Sequence, residues 1–372
     1  MKRLQAYLNL TMNKNIGIYV HFPFCKRKCA YCDFVSFPNL ELESEYVSLL
    51  IDEISSSDVK GKISTVYFGG GTPSVLDAEN IEKVLSALKN LSNAEFCPTE
   101  LTIEANPESL TYEKALFYKK IGFNRISIGV QSFDDSVLKI CERLHNAETA
   151  LNAVKIATDI FDNVSCDLIV GLPGQSVDVL TESIEILNKF NVKHVSCYTL
   201  QLEEGTRLYN RVQSGKLTLP SEDEVCDAFN AVKQKLNALG FNRYEVSNFS
   251  KLGYESRHNL SYWQRINYIG YGISAHSLID NVRFNNPSTF AEYKEMVLNG
   301  KGRFETVLSV DDVRFEKLML GLRMTKGVDV DCFAGYESIL NRYKDFFDFN
   351  GDKVSFNDRG FEVMNSILID FM

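Results

Sequence analysis

Between residues 16 and 200, short runs rich in β-branched and aromatic residues alternate with longer stretches whose apolar positions recur every three to four residues. The runs 16–21, 64–68, 101–104, 125–129, 164–170 and 195–200 read as strands. The stretches 42–55, 78–90, 112–121, 147–160 and 177–190 read as helices. Strands alternating with helices imply right-handed βαβ units and a parallel sheet. Six strands of this kind build a complete or partial (β/α)6 barrel, or an open doubly wound sheet. Periodicity does not separate these.

After residue 200 the pattern changes. Residues 222–239 read as a helix ended by Gly240. An aromatic, Asn-rich segment covers 241–275, a helical run 312–323, a short strand 353–356 and a terminal helix 360–371. We therefore divide the α/β chain into a lead-in (1–15), a barrel (16–220), an extension (221–310) and a small C-terminal helical domain (311–372).

A chain of 372 residues buries a substantial core and needs no disulfide or metal merely to fold. The formal net charge of −9 argues against a phosphate backbone as main partner. The basic run Lys26-Arg27-Lys28 reads as a solvated loop. No stretch of about 18 apolar residues is present, so no membrane span is expected. The N-terminus lacks the apolar core of a signal peptide, which places the protein in the cytoplasm. Met12 is an alternative start. The nine cysteines are an odd number on a chain without export signals, which does not read as a disulfide framework. Six (Cys97, Cys141, Cys166, Cys197, Cys226, Cys332) are scattered and read as small buried hydrophobes.

The other three are clustered. Cys25, Cys29 and Cys32 follow the first strand with C-x3-C-x2-C spacing. Three thiolates on one loop can hold a [4Fe–4S] cluster and leave one iron without a protein ligand. A free coordination site is what separates an open, reactive metal site from a closed structural one. Zinc, with His21 as fourth ligand, is the rival, but the second C-x2-C pair usual for zinc is missing.

This spacing, with Tyr31 before the third cysteine, resembles the radical S-adenosylmethionine (SAM) superfamily. The resemblance implies that the open iron chelates SAM and that one electron cleaves it to a 5′-deoxyadenosyl radical. In a parallel barrel, function collects at the C-terminal ends of strands, and polar or glycine positions recur there. They include Gly69-Gly70-Gly71-Thr72-Pro73, Glu104-Ala-Asn106-Pro107, Gln131 with Arg143 beyond it, and Asp167 before Gly171-Leu-Pro-Gly174.

The order of these motifs is similar to one branch, the oxygen-independent coproporphyrinogen III oxidases and the HemW-type haem chaperones. The resemblance covers nearly the whole chain. It implies that Tyr19, Gly70, Gly71, Thr72 and Glu104 contact or adjoin cluster-bound SAM, and that Tyr31, Gln131, Arg143 and Asp167 belong to the same nucleotide pocket. The oxidases carry a further cysteine two positions after the third; here that position is Phe34. They also have a longer N-terminal segment. The segment His258-Asn-Leu-Ser-Tyr262-Trp263 looks like the H-N-x-x-Y-W motif of the chaperones and holds the single Trp. A His beside aromatics suits haem, so His258 is the haem-ligand expectation, against a packed corner with Trp263 as core. His276 is a second candidate, with apolar surroundings that favour a core role. The expected function is haem binding and delivery to acceptors such as respiratory haem enzymes, served by an electron donor. The alternative is oxidative decarboxylation of coproporphyrinogen III.

Overall fold

The structure, a computed structural model, describes residues 15–372; the lead-in up to residue 14, with Met12, lies outside the described residues. Strands β1 (Asn15–Phe22), β2 (Gly61–Gly70), β3 (Ala94–Ala105), β4 (Arg125–Gln131), β5 (Asn163–Val170) and β6 (His194–Thr199) lie side by side in chain order, all parallel. Helices α1 (Glu43–Ser55), α2 (Ala78–Lys89), α3 (Tyr112–Ile121), α4 (Asp135–Ile140), α5 (Ala147–Ile160) and α6 (Val177–Lys189) form the crossovers. Each strand buries β-branched and aromatic residues: Ile16, Ile18, Val20 and Phe22 of β1 are inaccessible to solvent. Thr111, Asn146 and Ser176 cap α3, α5 and α6 through side-chain oxygens.

Strand β6 does not meet β1. The outer neighbour of β6 is the short antiparallel pair β7 (Asn242–Arg243) and β8 (Asn248–Ser250). The outer neighbour of β1 is β9 (Tyr268–Tyr271), also parallel, followed by the antiparallel β10 (His276–Ile279), β11 (Val282–Asn285) and β12 (Phe304–Val307). The result is a partial (β/α)6 barrel inside one twelve-stranded sheet. Helix α7 (Arg207–Gln213) follows β6; in the extension α8 (Glu222–Ala238) precedes β7, and α9 (Arg257–Trp263) carries the H-N-x-x-Y-W residues. Helix α10 (Phe290–Asn299) precedes β12.

The extension is tied to the barrel by one buried carboxylate. Glu53 of α1 accepts from Gly272 N (2.8 Å), Asn286 Nδ2 (2.8 Å), Tyr293 Oη (2.8 Å) and Arg303 Nη2 (2.6 Å). A charge taken out of water needs such partners.

The expected helical C-terminal domain mixes helix and strand. Helix α11 (Val310–Gly321) opens it through a capping box of Ser309 and Asp312. A three-stranded antiparallel sheet follows, made of β13 (Val328–Asp329), β14 (Phe347–Asn350) and β15 (Lys353–Phe356). The single terminal helix is two short ones, α13 (Asp358–Glu362) and α14 (Met364–Ile369), after α12 (Glu337–Arg342). This part has its own apolar cluster, including Leu318, Leu322, Phe333, Phe347, Phe356 and Phe371.

Candidate cluster and nucleotide site

The loop after β1 carries Cys25, Cys29 and Cys32, all with free thiols and partly exposed. Backbone bonds fix its shape. Cys25 N donates to Phe37 O (3.1 Å), Cys32 N to Cys29 O (3.3 Å), and Ala30 N to Cys141 O (3.0 Å). Burial raises the Cys25 and Cys32 thiols above their ordinary range, so loading metal there releases protons.

A polar chain connects two of the thiols. Cys25 Sγ lies 3.4 Å from Thr72 Oγ1, which accepts from Asn106 Nδ2 (2.8 Å). Asn106 Oδ1 accepts from Arg143 Nη2 (2.9 Å), and Arg143 Nη1 donates to Cys29 Sγ (3.2 Å). Arg143 Nη2 also bonds Gly129 O (2.6 Å). The guanidinium thus braces Cys29 against the backbone of β4. Asn106 links both ends; the sequence reading placed it in the strand-end motif after Glu104 but gave it no role. Its signal was its position, two residues after Glu104 at a strand end.

The glycine run serves this loop first. A Cβ on Gly71 would stand 2.6 Å from Phe24 O, and one on Gly70, at φ +110°, 2.6 Å from the His21 ring. Both glycines let the chain pass against the cysteine loop. His21 Nε2 lies 3.0 Å from Val35 O, so it carries the proton, and Nδ1 accepts from Tyr19 Oη (3.1 Å). With both nitrogens engaged, His21 does not supply the fourth ligand of the zinc reading. Among the described residues, no three His, Cys, Asp or Glu side chains converge as a single-ion site requires; three thiols that each take a different iron need not.

Glu104, at the end of β3, accepts from Tyr67 Oη (2.7 Å) and Gly70 N (3.2 Å). Burial, with Asp167 adding repulsion, pushes its carboxyl from 4.5 up to about 7. Asp167 accepts from Ser127 Oγ (3.3 Å) and is raised by burial as well. Gln131 ends β4 at φ +68°; its Oε1 and Arg143 Nε are buried with no partner. Tyr31 packs with Val137, Cys141, Ile169 and Leu172 beside Arg143. Unpartnered buried polar atoms beside the three thiols fit a polar ligand carried on a cluster.

The shifted Glu104 has a consequence for stability. Its folded value lies above 4.5, so its contribution to the fold is complete below pH 4.5 and is lost as pH rises through 7. Glu104→Gln mimics the protonated form. We expect it to raise the melting temperature of cluster-free protein at pH 8, with the gain vanishing towards pH 5, and to weaken SAM binding in calorimetry. A gain that is the same at both pH values would contradict this origin.

His258 is elsewhere. It lies one layer below Glu104, separated from it by Tyr67, on whose ring it stacks (centroids 5.1 Å apart). Its Nδ1 lies 2.9 Å from Thr65 Oγ1 and its Nε2 2.9 Å from Tyr262 Oη. The ring is buried, and burial lowers its pKa to about 3. Helix α9 is anchored at its N-terminus by Glu100, which accepts from Ser256 Oγ, Arg257 N and His258 N. The imidazole expected to meet haem therefore has no free nitrogen in this fold. His276, expected in the core, is exposed.

A three-thiol loop over a partial (β/α)6 barrel defines the radical SAM class, and the family model described as the radical SAM superfamily matches residues 19–187. That class implies a [4Fe–4S] cluster and SAM. The chain belongs to the HemW haem chaperone family. It is 35% identical to the haem chaperone HemW of Bacillus subtilis over 85% of each chain. It is 34% identical to that of Lactococcus lactis over 97% of this chain and 98% of the relative, and 37% identical to that of Synechocystis over 83% and 78%. The fold is shared with coproporphyrinogen III oxidase (HemN) from Escherichia coli, a radical SAM enzyme. There the TM-score is 0.85 over 99% of this chain and 92% of that one, at 22% identity. No helix among the described residues is long and apolar enough to cross a membrane.

Proposed function

We propose that this protein is a haem chaperone: it binds haem, carries a [4Fe–4S] cluster with SAM, and passes haem to acceptor proteins such as respiratory haem enzymes, with an electron donor serving the cluster. The observation that carries the reading is family membership over nearly the whole chain, together with a cysteine loop that ends in Phe34 where the oxidases have a further cysteine. Cys25, Cys29 and Cys32 would hold the cluster. Tyr19, Gly70, Gly71, Thr72 and Glu104 would line the SAM next to it, and Tyr31, Gln131, Arg143 and Asp167 would complete the pocket. When bound, such a cluster supplies one electron and an open iron for the amino-acid end of SAM. The chain's own part is to fix the cysteine loop through Arg143, Asn106 and Thr72 and to set a carboxylate, Glu104, where an amine or ribose hydroxyl can be accepted.

The test is anaerobic reconstitution followed by haemin titration and incubation with coproporphyrinogen III, SAM and reductant. Haem binding without loss of carboxyl groups from the porphyrinogen is the expected result. Decarboxylation would make the protein an oxidase.

In this reading α9 contributes to the haem site while His258 positions the helix. His258→Ala removes two buried hydrogen bonds and a stacked ring. It should cost about 2–4 kcal/mol in denaturant unfolding and leave the position of the haem absorption band unchanged. A displaced band would make His258 an iron ligand, reached by breaking its bond to Tyr262.

A further inference from the structure

The haem-binding reading leaves the haem contacts unassigned, and this inference rests on that reading. One seam between the barrel side and the C-terminal part holds a half-buried guanidinium without an ion-pair partner and two buried polar atoms without a hydrogen bond. Arg323 follows α11, and its guanidinium carbon stands 5.7 Å from the centre of the Trp263 ring. Among the described residues no carboxylate lies within ion-pair distance of it, although it is half-buried and feels the charge of Glu245. Glu245 sits between β7 and β8 and pairs as a β-bridge with Met324, the residue beside Arg323. It is 0% exposed. Its Oε1 accepts from Ser247 N (3.2 Å) and hydrogen bonding from Asn248 offsets part of its burial, while its Oε2 is buried without a further close bond. Trp263 Nε1 is buried without a partner too.

A buried polar atom left unpaired is costly, and several in one seam indicate a ligand that completes them. The chemistry of the three groups agrees. The guanidinium and the indole N–H are donors only. Burial pushes the Glu245 carboxyl up to about 7, so near neutrality it carries a proton in a large share of molecules and donates as well. A set of donors around a guanidinium suits a carboxylate. The seam lies at the Trp263 end of α9.

We propose that the seam formed by Arg323, Trp263 and Glu245 receives a propionate of haem, with Arg323 as its charge partner. Arg323 and Glu245 then act in ligand binding.

The experiment titrates haemin and haemin dimethyl ester, whose propionates carry no charge, into the cluster-loaded wild-type protein, Arg323→Gln and Arg323→Lys, following absorption. Wild type should bind the ester about 10- to 100-fold more weakly than haemin. Arg323→Gln should bind haemin as weakly as the ester and no longer distinguish the two, and Arg323→Lys should recover part of the discrimination. Melting temperature and iron content of each variant separate binding from folding. Equal wild-type affinity for haemin and its ester would overturn the propionate assignment and leave haem binding standing. So would an equal loss for both ligands in Arg323→Gln. No haemin binding by wild type would overturn the chaperone reading and this inference with it.

Discussion

Cys25→Ala protein, reconstituted anaerobically with iron and sulfide, should retain only background iron and lose the cluster's visible absorption. Three thiolates are the fewest that hold a cubic cluster while leaving one iron open. The loop offers no replacement: Cys141, the nearest other cysteine in the fold, is buried, and burial pushes its thiol up to about 12. Asn106→Ala tests the support rather than the ligand. It leaves the three thiols in place but disconnects Thr72 at Cys25 from Arg143 at Cys29. Groups behind metal ligands typically matter by about 10- to 100-fold in affinity. The variant should therefore assemble a cluster that is lost faster on exposure to air or chelator, with a rate between wild type and Cys25→Ala. Unchanged iron and absorption in Cys25→Ala would remove the cluster assignment. Unchanged lability in Asn106→Ala would confine the role of that residue to packing.

What the sequence makes legible follows from how local the cause is. The six parallel strands show because each is a continuous apolar run bounded by polar turns, and five of the predicted helices lie within a few residues of the observed ones. The thiols show because their spacing is itself the site. The hairpin of β10 and β11 was passed over, and of the hairpin of β14 and β15 only β15 was read, although both turns carry a signal. Asp280, at φ +53°, and Asn281 join β10 to β11, and Gly351, at φ +61°, follows Asn350 between β14 and β15. Strands of four residues hold little alternation, so β10, β11 and β14 escaped where β15 did not. Strand β9 is hidden for a different reason: its place beside β1 is set by pairing more than two hundred residues away in sequence, which no local pattern encodes. The same limit governs His258. Its neighbours in sequence, Tyr262 and Trp263, suggested an open aromatic site. The groups that close it, Thr65, Tyr67 and Glu100, come from β2 and β3.

The extension depends on Glu53 in a way that a single substitution should expose. Glu53→Ala leaves the Arg303 guanidinium without its buried carboxylate and removes the acceptor of Gly272 N, Asn286 Nδ2 and Tyr293 Oη together. Removing one partner of a buried pair costs about 3–5 kcal/mol, and further unsatisfied donors add to this. Unfolding by denaturant should therefore show a loss of at least about 3 kcal/mol. Glu53→Gln should recover only part, since its amide oxygen still accepts from two of the four donors while its NH2 faces the other two. Glu53→Leu combined with Arg303→Leu should recover part, because the uncompensated charge is gone while Gly272 and Tyr293 still lack an acceptor. The loss should reach the cluster as well. Tyr46, also on α1, donates to His21 O (2.6 Å) and accepts from Ile273 N (3.2 Å), so the loop between β9 and β10 and the strand that leads into the cysteines lean on one hydroxyl. Slackening the Glu53 anchor should free that loop and raise cluster lability in Glu53→Ala. A variant that loses stability yet keeps wild-type lability would show that the extension and the cysteine loop are held independently.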